Sequence, residues 1–385
     1  MDIVLISPVS PFDPRDGHRL AVLSDVHALL DNRIDLGVIS FSYAGETDTI
    51  PNLCPNVKIA ARNGGFAARF SRGVLKRLPP SAERLYSKDA RQTLCEALRQ
   101  WKPRIVIIDD TSVSGYISDI RQVLPAAKVV LRSHNVMHDV RSEQLSRARG
   151  ASRAAIAFDC KKYIEFEKAA VLASDRHWAI TSSDAERMQS LYGREGQCLT
   201  VSVPFERYRS LMSDQGQSNG FVHVGSLDFR RRADLNHFLD RSWPRILEAD
   251  QAASLTLAGE INGAPIPAKN VQYAGRVESD AALYGRARFA INFQSSPGGV
   301  KLKTLTSLAA GRTLLSTREG VQGIDIKSGF EFFDIDQFLG RTDLQFILSD
   351  VRATQSVADA GRQYVNTRHS RQAVAKQVLN LIEGL

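Results

Sequence analysis

Short runs of apolar and β-branched residues alternate with longer stretches of helical spacing along nearly the whole chain. This alternation restricts the fold more than any other feature. It reads as repeated strand–helix–strand units and hence a mostly parallel sheet with helices packed on its faces. Strands are predicted at 3–6, 35–40, 57–60, 104–109, 128–132 and 177–180, with helices over 18–31, 82–100, 140–173 and 182–192. After a stretch rich in Ser, Gln and Asn the pattern restarts, with strands at 221–224, 254–257, 271–273, 288–293 and 313–316 and helices at 232–248, 279–285 and 301–310. Beyond Phe332 the chain reads as helices to its end. The organisation expected is a first α/β domain over 1–204, a linker at 205–219, a second α/β domain over 220–365, and a terminal helix over 366–385 that crosses back to the first. Two doubly wound domains place ligand sites at the carboxyl ends of their strands, and here the expectation is a cleft between the two.

Bulk properties narrow the function classes. A chain of 385 residues is long for one hydrophobic core and ample for two. The formal charge of +8 favours anionic partners, from phosphorylated ligands to anionic lipid surfaces. The opening Met-Asp-Ile-Val-Leu-Ile-Ser-Pro lacks the basic start and long apolar stretch of a secretory leader, and no run is long enough to span a membrane. A cytoplasmic protein is expected, with contact at the inner face of an anionic membrane as a further expectation. The four cysteines Cys54, Cys95, Cys160 and Cys198 form no CxxC pair and read as reduced thiols. Nothing resembles a nucleic-acid-binding motif, so nucleic acid is not an expected partner.

Three strand-end segments carry the chemistry. The first loop, Pro8 to Arg19, lacks the GxGxxG of a nicotinamide site, yet Gly17 opens a helix whose backbone amides could face an anion. Arg132-Ser133-His134-Asn135-Val136-Met137-His138 follows a strand. Its two histidines lack the glutamate of HExxH and a third ligand, so no metal site is expected. His134 is read either as a ligand-facing group or as a structural one. The richest segment is Ser295 to Leu305, where a Gly298-Gly299 turn leads into a helix with Lys301 and Lys303 near its start. Lysines there oppose the helix dipole, which makes sense if a diphosphate shares the site. Arg230-Arg231-Arg232 lies after another strand end and could reach the same place.

In order and spacing these segments resemble the GT-B glycosyltransferases of family 4 and its close relatives. The residues that carry the likeness are Gly17-x-Arg19, Ser133-His134-Asn135, Glu165 to Arg187, Val224 to Arg230, Tyr273 to Val277, Gly298 to Arg312 and Ser316 to Ile324. The resemblance implies two Rossmann-like domains and transfer of a sugar from a nucleotide-diphosphate sugar to a glycan, lipid-linked or small-molecule acceptor, as in polysaccharide biosynthesis. It implies retention of configuration, with no metal and no cofactor beyond the donor. By the same resemblance Lys301, with Lys303 and Arg231, would neutralise the diphosphate. Gly299 would shape the phosphate turn, Val277 would meet the base, and Gly17 would approach the phosphates. His134 would bond the sugar or the acceptor. In an inverting reaction Asp16 would be the first candidate for general base. The family's two donor-side glutamates fall where this chain has Gly298 and Thr306, which predicts a weaker hold on the ribose. A non-catalytic binding protein of the same fold, and a nucleotide-sugar epimerase or hydrolase, are the alternative functions.

Overall fold

The computed structural model describes residues 1–76, 78–150, 153–212, 219–227, 229–277, 279–295 and 299–385. The chain folds as two units, Met1–Ser202 with Val374–Leu385, and Val203–Ala373.

The first unit is built on seven parallel strands: β1 Ile3–Ser7, β2 Leu36–Ser42, β3 Asn56–Ala60, β4 Ile105–Asp109, β5 Lys128–Ser133, β6 Arg176–Ala179 and β7 Gln197–Cys198, in the order β3-β2-β1-β4-β5-β6-β7. Every pair is parallel, and β1 lies between β2 and β4 with Ile3 opposite both Leu36 and Ile105. β1 and β4 are buried at every residue, which is why they read as unbroken apolar runs rather than alternating ones. Apolar side chains cover both faces. One core contains Val4, Ile6, Val106, Ile108 and Leu131, and the other contains Leu5, Val38, Ile107 and Val130. Val374, Ala375, Val378 and Leu381 of the last helix, Arg371–Glu383, join the second of these cores.

The second unit repeats the plan with β8 Gly220–Val224, β9 Ser254–Ala258, β10 Val271–Gly275, β11 Phe289–Asn292, β12 Thr313–Ser316 and β13 Phe333–Asp334, in the order β10-β9-β8-β11-β12-β13. Its pairs are parallel as well. In each sheet the strand order reverses once, between β1 and β4 and between β8 and β11. Loops leaving the carboxyl ends on either side of such a reversal diverge and leave a crevice.

Several boundaries differ from the sequence reading. The helix expected over 140–173 is two, Met137–Arg147 and Arg153–Ala173, because the chain turns extended at Ala148. The helix expected over 82–100 begins at Lys88 under the cap of Ser87, with a single 3-10 turn at Glu83–Leu85 before it. Helix Phe66–Lys76 is an addition to the elements expected from sequence. So are β7 and β13, two-residue edge strands too short to leave a periodic signal. Part of the stretch expected as a linker is ordered into the second unit: Phe205–Met212 form 3-10 turns and Tyr208 is fully buried, its hydroxyl donating to Asp280 at 2.8 Å. The four cysteines are free thiols.

Candidate functional site

In the first unit the crevice between β1 and β4 gathers a cluster around one carboxylate. Asp109 is the last residue of β4 and is fully buried. Ser7, the last residue of β1, donates its hydroxyl to Oδ2 at 3.0 Å. His134, just past β5, puts Nε2 2.7 Å from Oδ1. His18, in the first turn of helix Gly17–Asp31, has Nε2 3.6 Å from Oδ2, an ion-pair distance rather than a hydrogen bond. The two imidazole rings lie with centroids 4.7 Å apart. Burial works against a charged carboxylate, yet His134 and His18 together hold Asp109 well below the usual carboxylate range. Burial also opposes charge on His18, but Asp109, Asp110 and Asp16 outweigh it and push its imidazolium up to about 9. His18 is therefore a cation at neutral pH. His134 Nδ1 is buried and has no hydrogen-bond partner among the described residues.

Asp110 next to this cluster has φ 81°, the left-handed region that non-glycine residues avoid, and its carboxylate accepts from Ser112 N at 2.7 Å. Such strain tends to persist where a site over-determines the backbone. Asp16 caps helix Gly17–Asp31 by accepting from Arg19 N at 3.0 Å and also pairs with the Arg19 guanidinium. That leaves it a poor match for the general base proposed from sequence, because its charge is already committed to a cation. His138 is half-buried and turned to Asp139, 3.0 Å away, so the two histidines of the sequence segment do not converge. The group whose donor atoms could hold a metal ion is instead His18, Asp109 and His134, all within 4.8 Å of one another. A metal there would have to displace the proton that His18 keeps at neutral pH.

The second crevice lies between β8 and β11. Gly299 has φ 57°, and the chain then enters helix Leu302–Ala309 with Lys301 at its N-cap position. Lys301 is 8% exposed and its Nζ lies 3.3 Å from Gly299 O. Asn292 at the end of β11 donates to Thr304 Oγ1 at 2.9 Å and to Gly320 O at 3.1 Å, while Thr304 Oγ1 donates to Gly320 O at 2.6 Å. These buried bonds fix the start of the helix against the loop after β12. A Cβ at Gly320 would meet Ser316 Oγ at 2.2 Å and Asn292 Nδ2 at 2.8 Å, so any side chain there would displace both groups.

Lys303 runs beside Gly225 after β8, its Nζ 3.7 Å from where a Cβ would stand. Burial, Lys303 and Arg231 together keep His223 of β8 neutral, its pKa well below the ordinary value. Lys303 and Arg231 thus both act on the same buried ring. Thr306 is half-buried, and its hydroxyl donates to Lys303 O at 3.0 Å, so it is turned to its own helix. Val277 is half-buried just past β10. Gly298 lies outside the described residues.

The structure therefore brings Lys303 and Arg231 to the same buried ring, sets Gly299 and Lys301 at the start of the helix that carries Lys303, and places Gly17 and His134 at the other crevice. Sequence reasoning assigned no role to His18 and Asp109. A signal for Asp109 exists, since an acid closing the apolar run Ile105-Val106-Ile107-Ile108 is buried by the strand it ends.

The sequence matches no protein-family model and no curated protein. Solved structures do match across the whole chain. A sucrose-phosphate synthase from Thermosynechococcus elongatus superposes with TM-score 0.71 at 14% identity, over 100% of this chain and 99% of that one. HepE from Anabaena, solved with UDP and glucose, gives 0.66 at 12% identity over 100% of both chains. The apo form of the lipopolysaccharide outer core galactosyltransferase WaaB gives 0.64 at 15% identity, over 100% of this chain and 99% of that one. At such identities the likeness speaks for architecture, and together with the two parallel sheets, each reversing at its first strand, it establishes that this chain has the GT-B fold.

Proposed function

We propose that this protein is a glycosyltransferase that moves a sugar from a nucleoside-diphosphate sugar to an acceptor hydroxyl. The observation that carries the reading is that Lys303 and Arg231 both act on buried His223 at the reversal point of the second sheet, with the buried Lys301 at the N-cap position of the helix that carries Lys303. Cations gathered there, where a helix begins, suit a leaving diphosphate. The complexes of HepE with UDP, glucose and UDP-glucose make uridine diphosphate sugars the first donors to test.

In the reaction proposed, the acceptor oxygen bonds to the anomeric carbon as the bond to the β-phosphate oxygen breaks. The electron pair leaves with the nucleoside diphosphate, which takes the acceptor's proton. Attack on the face from which the phosphate departs gives retention, as the family resemblance implies. Lys301, Lys303 and Arg231 stabilise the charge growing on the diphosphate, so no metal is required. Gly299 supplies the turn that lets the chain approach phosphate. His134, with Nε2 tied to Asp109, would use Nδ1 toward the sugar or the acceptor. The acceptor is a glycan, a small molecule or a lipid-linked saccharide, the last with the enzyme at an anionic membrane surface.

The test is a panel of nucleotide sugars scored by thermal shift and by release of nucleoside diphosphate, with and without candidate acceptors and with a chelator. A ligand at 100 times its dissociation constant adds about 2.7 kcal/mol of stability. Acceptor-dependent release that survives chelation is expected. Release that stops with the chelator would remove metal independence, release without any acceptor would point to a hydrolase, and an altered sugar on an intact nucleotide sugar would point to an epimerase. Thr306, its hydroxyl already committed to Lys303 O, favours one rival, a binding protein of the same fold. That rival requires nucleotide binding without any turnover.

His134→Ala is expected to lower turnover and catalytic efficiency together, with little change in the affinity for free nucleoside diphosphate. The imidazole belongs to the first unit's crevice, whereas the diphosphate is assigned to the second unit's cations. Equal loss of nucleotide affinity would mark His134 as a structural partner of Asp109 only.

A further inference from the structure

The chain's positive charge is not spread evenly. Residues 49–82 contain Lys58, Arg62, Arg69, Arg72, Lys76 and Arg77 and no Asp or Glu. Six of the 50 Lys and Arg therefore fall in this stretch, leaving 44 against 42 acids in the rest, so +6 of the net +8 sits on 34 residues. Acids close the stretch on both sides: Asp48 pairs with Lys58, and Glu83 pairs with Arg62 and Arg72. By sequence position, Arg69, Lys76 and Arg77 add three cations on or next to helix Phe66–Lys76.

That helix is also the most openly apolar place among the described residues. Leu75 is 83% exposed, the highest of the large apolar side chains described, and Val74 is 47% exposed. Ala67, Ala68 and Ser71 are exposed on the same side. The opposite side holds the helix to the unit: the Phe70 ring lies 5.2 Å from Phe158, and Gly73 packs against the backbone of Leu78 and Pro80, where a Cβ would come within 3.0 Å. A helix fixed by one face, with small and aliphatic residues on the other and cations along its sequence, has the construction of an interfacial helix. Nucleic acid would use the cations but gives no reason for an exposed Leu-Val pair. A bilayer with anionic headgroups uses both, because the cations meet the phosphates while the aliphatic groups enter the acyl boundary.

We propose that helix Phe66–Lys76 docks the protein on an anionic lipid bilayer, with Val74 and Leu75 entering the interface and the positive charge of this segment drawing it to the headgroups. The inference deepens the transferase reading by placing a lipid-linked acceptor beside the first unit, but membrane binding itself does not depend on that reading. The experiment is co-sedimentation of the full chain with phosphatidylcholine vesicles, with and without about 30 mol% phosphatidylglycerol. It is run at about 20 mM salt, where screening is weak, and again at physiological salt. Binding to the anionic vesicles alone is expected, weakening with salt. The double variant Arg69→Gln/Lys76→Gln should lose on the order of fivefold per charge removed. Val74→Ser/Leu75→Ser should weaken binding at every salt concentration, while the control Lys161→Gln/Lys168→Gln should behave as wild type.

Absence of binding at low salt overturns the proposal, and so does equal weakening by the control pair. Binding that ignores Val74→Ser/Leu75→Ser and is competed away by a single-stranded oligonucleotide would replace it with nucleic-acid binding. Donor turnover in vesicle-free buffer, expected unchanged in Val74→Ser/Leu75→Ser, reads the transferase assignment separately.

Discussion

Lys301→Ala should lower catalytic efficiency for the nucleotide-sugar donor by about 10- to 150-fold, the worth of a charge-assisted hydrogen bond of about 1.5–3 kcal/mol. Lys303→Ala should cost less. The difference comes from burial. Lys301 is 8% exposed, so its charge acts on a bound diphosphate with little screening. Lys303 is half-buried beside Gly225, and part of its field falls on neutral His223. Because Lys301 also occupies the N-cap position of helix Leu302–Ala309, alanine removes volume as well as charge. Lys301→Met keeps most of the volume and should be nearly as damaging as alanine. Donor kinetics and calorimetric titration with nucleoside diphosphate, on variants whose circular dichroism matches wild type, decide the matter. Unchanged nucleotide affinity in a folded Lys301→Ala protein would end the phosphate assignment. Recovery in Lys301→Met would make the role one of packing.

The two-sheet plan is legible in the sequence because buried strands leave short apolar runs, residues 3–6 in β1, 105–108 in β4 and 289–291 in β11, although His223 interrupts β8 and β12 has only Leu314 and Leu315 between Thr313 and Ser316. The edges are not, since β7 and β13 span two residues each and are set by register against neighbours rather than by pattern. The helix break at Ala148 is marked only by Gly150, which takes φ 67° two residues on and is a weaker signal than proline. For the site, composition and position point to Lys301 and Lys303: cations where a helix begins conflict with local preference, and the conflict suggests a ligand. His18 could not be paired from sequence alone. It meets Asp109 across 91 positions only because β1 and β4 are neighbours in the sheet. The sequence displays a histidine beside Gly17 and an acid after an apolar run, and only the strand order joins them. Asp16, the base suggested by its place in the loop, is a helix cap because a carboxylate preceding a helix satisfies free backbone amides.

The stability of the first unit should fall as pH rises from 6.5 to 9, and His18→Gln should flatten that fall. His18 has an ordinary pKa of 6.5 in the unfolded chain and about 9 when folded. A raised folded value means that the native state holds its proton more tightly than the unfolded one. The stabilisation is therefore complete below about 6.5 and lost as pH climbs through about 9. Asp109 works in the opposite sense: its pKa is depressed on folding, so its contribution is present above the ordinary 3.8 and lost as the medium becomes strongly acid. Between these limits burial lowers the pKa of His177 to about 4, so its contribution grows as pH rises from about 4 to 6.5 and the maximum is expected near 6.5. The full shift of His18 corresponds to about 3 kcal/mol, but its side chain is 31% exposed and solvent screening reduces this to about 2 kcal/mol. In a unit of this size that is a Tm decrease of about 4–8 °C. Asp109→Asn should be harsher than His18→Gln at neutral pH, on the order of 3–5 kcal/mol, because it strips the buried counter-charge from an imidazolium and alters the partner of His134 at once. Scanning calorimetry of the three proteins across this pH range makes the comparison. A wild-type Tm that stays level from pH 6.5 to 9, or one that falls just as steeply in His18→Gln, would show that the His18–Asp109 ion pair contributes nothing to holding the crevice together.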